Sequence, residues 1–88
     1  MLIIEGFKEA IESKQFFIAL KILSKYEYIL EMNLIKISLV LVNSISEDPF
    51  FMEVKLKMIE KFVHLMDYKT IVTLLDNFRR LHKDRSIS

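Results

Sequence analysis

Lys14-Gln15-Phe16-Phe17-Ile18-Ala19-Leu20-Lys21-Ile22-Leu23 is echoed by Met66-Asp67-Tyr68-Lys69-Thr70-Ile71-Val72-Thr73-Leu74-Leu75. Each stretch has an aromatic near a helix start, a small or aliphatic residue three later, and then two leucines. That spacing puts the aromatic and the later apolar residues on one helical face. A face of this kind seeks another helix, so the echo predicts helical hairpins and a module that binds rather than catalyses.

Working outward, Ser46-Glu47-Asp48-Pro49 is the clearest boundary. Asp48 can accept from the first free amides while Pro49 occupies the first helical position, where its missing N–H costs nothing. A helix is expected from there to about Met66, with one stripe of Phe51, Val54, Met58, Phe62 and Leu65. A second stripe, Met52, Leu56, Ile59, Val63 and Met66, runs beside it. Glu53 and Lys57 make an i, i+4 pair on the polar side. Asp67 caps the next helix, which carries Ile71, Leu74, Leu75, Phe78 and Leu81 on one side.

Upstream, a first helix over 2–13 carries Ile3, Phe7, Ala10 and Ile11, with Glu5, Lys8, Glu9 and Glu12 mostly opposite. Gly6 costs it roughly 1 kcal/mol relative to alanine, and admits close approach of another helix. Ser13 is read as the cap of a second helix, over 14–30. That helix has a stripe of Phe16, Ala19, Leu20, Leu23, Tyr26 and Leu30, and another of Phe17, Ile18, Ile22 and Ile29. Asn33 is read as the cap of a third helix over 34–45, apolar nearly all round and therefore central. Its β-branched content also permits a buried strand, but no second strand-like segment exists to pair with it.

Composition agrees with an all-α fold of about five helices in antiparallel hairpins, forming one domain over 1–88. The 88 residues include a single glycine and a single proline, too few for the turns of a β-fold. Cysteine is absent, which removes disulfides and thiolate chemistry and fits a cytoplasmic protein. The start, Met1-Leu2-Ile3-Ile4-Glu5, lacks a basic leader, and no apolar run reaches the length of a membrane span. Apolar residues make up 52% of the chain, more than so short a polypeptide needs for one core. The surplus is expected to form a partner surface.

Chemistry-bearing patterns are missing. His64 and His82 have no second ligand at metal spacing, the serines lack a nucleophile-elbow context, and no glycine-rich loop could cradle a phosphate. No enzyme, cofactor or metal is therefore expected. Residues 79–88 hold Arg79, Arg80, Lys83 and Arg85 against Asp84, whereas residues 1–78 hold nine Lys against eleven acids. The basic end suits a solvated helix terminus. A small DNA-binding regulator is the competing reading, weakened by Asp76 and Asp84 among the cations of the last helix.

The aromatic–x–x–small–aliphatic pattern resembles the second helix of tetratricopeptide repeats, with Phe16 and Tyr68 at the hairpin aromatic. Ala19 stands at the small position, and Ile71 replaces it in the second copy. The copies lie 52 residues apart, and Lys14 or Met66 stands where a glycine would precede the aromatic, so the likeness is degenerate. In size, lack of cysteine and surplus apolar faces the chain is similar to the small chaperones of type III secretion needle subunits. That resemblance implies a cytoplasmic protein holding an amphipathic helix of a needle subunit, with or without a co-chaperone, in an apolar groove. The residues expected to face such a partner are Phe17, Ile18, Ile22, Met52, Leu56, Ile59 and Val63. Another open reading is a self-contained helical bundle such as a bacteriocin immunity protein. Periodicity alone leaves open which stripe of each helix faces inward.

Overall fold

The computed structural model describes residues 2–75. They are all-α, with α1 at Leu2–Glu12, α2 at Phe16–Lys25, α3 at Glu27–Met32, α4 at Leu34–Val42 and α5 at Pro49–Phe62. A 3-10 turn follows at Val63–Leu65. A further helix, α6, begins at 68 and is described as far as 75. The described residues thus hold about six helices rather than five. The remainder of the expected last helix and the basic end at 79–88 lie outside them.

The extra helix comes from a break in the expected 14–30 segment. Tyr26 leaves the helical region, at φ −117° and ψ 37°, and divides α2 from α3. Hydrogen bonding nearly bridges the break, because the Tyr26 amide donates to Ile22 and its carbonyl accepts from Leu30. The apolar stripe runs across the bend as well, since Leu23 and Leu30 are both buried.

Two expected caps serve the preceding helix instead. Ser13 Oγ donates to the Glu9 carbonyl at 2.7 Å, so it closes α1. Lys14 then takes a left-handed conformation, φ 62°. The Lys14 amide donates to Ile11 and the Gln15 amide to Ala10. This bond pair closes a helix through a left-handed residue, a position that glycine usually fills. Asn33 Nδ2 donates to the Ile29 carbonyl at 2.9 Å, tying off α3, and makes no side-chain cap on α4. The other two caps form as expected. Asp48 accepts from the Phe50 amide at 2.9 Å with Pro49 at the first helical position, and Asp67 accepts from Thr70 at 2.8 Å.

One apolar cluster joins Ile4, Phe7 and Ile11 of α1 with Phe16, Ala19 and Leu23 of α2 and Phe51, Val54, Met58 and Phe62 of α5. Leu30, Ile37, Leu41 and Leu74 complete it from α3, α4 and α6. Helix α1 packs against both α2 and α4, while α2 packs against α5. The Phe16 and Phe51 rings stack at 4.8 Å near the starts of their helices. Lys61, near the end of α5, meets Glu27 just beyond the end of α2. Helices α2 and α5 therefore lie side by side and run in the same direction.

That alignment replaces the internal repeat expected from the sequence. Phe16, Ala19 and Leu23 correspond in burial to Phe51, Val54 and Met58, a constant offset of 35 residues. Tyr68, the counterpart in the 52-residue echo, is 81% exposed where Phe16 is 2%. The echo matches residue types, whereas the fold repeats burial.

Candidate protein-binding face

Helix α4 carries the least expected surface. Ile37, Ser38 and Leu41 are buried, whereas Ile35 is 81% and Leu39 55% exposed. At about 100° per residue, Ile35, Leu39 and Val42 line the side opposite Ile37. The helix is not central: it has one apolar side in the core and another open to solvent. It is a helix rather than a strand, and it ends at Val42, where Ser44 Oγ donates back to Val40 and the Asn43 amide to Leu39.

The outer side of α4 forms one wall of a cleft of about 300 Å³. Leu34, Ile35, Leu39 and Val42 stand on this wall, and Leu65, Met66 and Thr70 face them from the 3-10 turn and the start of α6. A shallower depression continues past Met32 and Asn33, with Glu31 and Lys36 at its rim. Ser38 lies at the cleft as a buried polar residue, and Asp67 stands at its edge. The Asp67 side chain accepts from Thr70, and this bonding holds its pKa below the usual aspartate value. The cap is therefore complete above the ordinary carboxylate range and fades as pH falls through that lowered value.

The residues expected from sequence to face a partner fall into two separate places. Phe17 and Ile18 of α2 are exposed, and Phe17 meets Phe50 edge-on at 6.3 Å with the Lys21 ammonium 4.9 Å from its ring. Ile22 is half-buried beside α1, close to Gly6. On α5, Leu56 and Val63 are exposed and Met52 and Ile59 half-buried. Taking Phe51 as the inward direction, Phe50 and Lys61 sit about 100° to one side, toward α2. Met52, Leu56, Ile59 and Val63 sit about 100° to the other side. The structure thus brings Phe17 to Phe50, but it does not join the α2 and α5 stripes into one groove. The cleft beside α4 was missed because a helix apolar on both sides reads as fully buried. Its open side is set by which neighbours the chain places there, not by periodicity.

Lys55, Lys57 and His64 stand outside the cleft. Lys55 is 3% exposed, with its ammonium 4.6 Å from the centre of the Phe51 ring, and desolvation pushes its pKa below the usual lysine value. Lys57 pairs with Glu60 at 3.6 Å rather than with Glu53. His64 is exposed on the 3-10 turn, and His82 lies outside the described residues. Among the described residues no group of three His, Cys, Asp or Glu side chains could hold a metal ion. No described helix is long and apolar enough to cross a membrane.

These features define a small all-α protein with exposed apolar helix faces. The sequence matches no protein-family model, and no curated protein or solved structure shows significant similarity to it.

Proposed function

We propose that this chain is a protein-binding module that takes an amphipathic helix of another protein in the cleft between α4 and the start of α6. The observation that carries the reading is the solvent-facing pair Ile35 and Leu39, with the half-buried Val42 beside them, along a concave apolar space. An amphipathic helix presents anchors at i, i+3 or i+4, and i+7, the spacing by which it lays apolar side chains into a groove. Met32 and Met66 border it with side chains that adapt to varied partners. Glu31, Lys36 and Asp67 at the rim favour a partner whose apolar stripe is flanked by both charges. The narrower reading, a cytoplasmic chaperone of a secreted needle-type subunit, rests on the resemblance in size, composition and helical build.

The test compares tagged wild-type protein with the Ile35→Asp/Leu39→Asp variant, each recovered from its native cells and weighed intact as a complex. Both replaced side chains face solvent, so far-UV circular dichroism and thermal melting should be nearly unchanged. Wild type should retain a small helical protein in fixed stoichiometry, and the variant should lose it. Identical profiles for the two would rule out the cleft as the binding site. A retained partner that is not a secreted subunit would remove the narrower reading alone.

A further inference from the structure

The stripe on the far side of α5 occupies a place for which the fold itself supplies a template. Adding 35 to Phe17 gives Met52, and adding 35 to Ser24 gives Ile59. Phe17 belongs to the flank of α2 on which α5 already packs, through Phe50. Met52 and Ile59, with Leu56 and Val63, form the same flank of α5, and Leu56 and Val63 are 45% and 47% exposed. That flank of α5 thus holds the position equivalent, 35 residues on, to the flank of α2 that meets α5.

The chain also carries a matching side. Helix α5 approaches α2 with the flank that holds Phe50 and Lys61, and the exposed Glu53 and Lys57 lie on that same side of α5. The corresponding flank of α2 carries Gln15, Ile18 and Ile22 instead, with Ile18 45% exposed. Two exposed polar positions on that flank of α5 are therefore isoleucines on α2, Ile18 exposed and Ile22 half-buried where it borders α1. We infer that this protein associates head to tail with itself: the Met52–Leu56–Ile59–Val63 stripe of one copy takes the Ile18–Ile22 flank of the next copy's α2. The internal α2–α5 packing continues across the junction. Such a contact uses different surfaces on its two partners, so it propagates into open assemblies or rings rather than closing as a two-fold dimer.

Sedimentation of the full chain over a wide concentration range tests this, using wild type, Leu56→Asp/Val63→Asp and Ile18→Asp, with circular dichroism to confirm equal helicity. Wild type should rise in average mass beyond a dimer, while each variant alone stays monomeric. Mixed in equal amounts, the two variants should stop at a heterodimer, since each keeps the surface the other has lost. A wild type that remains monomeric at every concentration overturns the proposal, as does growth that halts at a dimer. Mixed variants that stay apart while wild type assembles also overturn it. If either aspartate variant loses helicity, Leu56→Ser and Ile18→Ser take its place in the same mixing experiment. The Ile35→Asp/Leu39→Asp variant should assemble like wild type, which separates this contact from partner binding in the cleft.

Discussion

Helices α2 and α5 run side by side in one direction and bury the same three positions 35 residues apart, yet they are secured differently. Helix α5 starts on a side-chain cap with proline behind it and continues unbroken for 14 residues. Helix α2 starts at Gln15 without a side-chain cap and breaks at Tyr26. One flank of α5 already touches α2, and its other flank is open. The difference teaches that buried side chains fix where a helix lies, while its ends and flanks decide how firmly it forms and what it meets next.

The shared aromatic contact offers the most severe way to break this pairing. Phe16 and Phe51 are both buried and stack on each other, so each change to alanine should cost about 3–5 kcal/mol in chemical denaturation. The double variant should lose less than the two costs combined, because the second truncation removes a contact that is already gone. Simple additivity would mean that the two rings contribute independently.

A smaller effect sharpens the contrast between the helix starts. Asp48→Ala removes the carboxylate that accepts from the Phe50 amide and should cost about 1 kcal/mol. Gln15→Ala at the matching place on α2 should change the denaturation midpoint little, since no side-chain cap bond is lost there.

Lys55 stands 35 residues after Leu20 and is the polar intruder in the comparison. Burial lowers its pKa, so the folded chain holds that proton less tightly than the unfolded chain does. The resulting destabilisation is full below the lowered value and is relieved as pH rises toward the ordinary lysine value. Melting temperatures followed into the alkaline range should show this contribution in wild type. Lys55→Leu, which copies α2, should be more stable at neutral pH and should lack the alkaline gain.

The smallest term is the ion pair between Glu27 and Lys61. Both side chains are partly exposed, at 50% and 28%, and a double-mutant cycle should give a coupling of about 0.5 kcal/mol that shrinks with salt.

Much of the fold was legible in the residues. Phe7, Ala10 and Ile11 of α1 and Phe51, Val54, Met58 and Phe62 of α5 are buried together as their spacing groups them, whereas Ile4 is buried in place of Ile3 and Leu65 stands half exposed on the 3-10 turn. The proline-led start of α5 and the caps at Asp48 and Asp67 follow from local chemistry. What escaped depends on three-dimensional neighbours. No glycine or proline marks the bend at Tyr26, so periodicity runs straight through it. Ser13 and Asn33 are good acceptors for a following helix and equally good donors to the preceding one, and only geometry chooses between those roles. For the candidate site, the exposure of Phe17, Ile18, Leu56 and Val63 was within reach of the pattern. The open side of α4 was not, because Ile35 and Leu39 look like core residues in any one-dimensional reading.

The chain's one glycine and its one described left-handed residue are in each other's natural places. Gly6 lies within α1, where an added Cβ would come no nearer than 3.8 Å to Ile22 Cδ1, an ordinary contact. Lys14, at the turn that closes the same helix, holds the backbone conformation that glycine adopts at no steric cost. Alanine at the first site and glycine at the second would each relieve a local penalty of about 1 kcal/mol without touching any buried side chain. The first hairpin is thus built below its attainable firmness, and two single-codon-scale edits at its two ends would stiffen it while leaving every exposed apolar face as it stands.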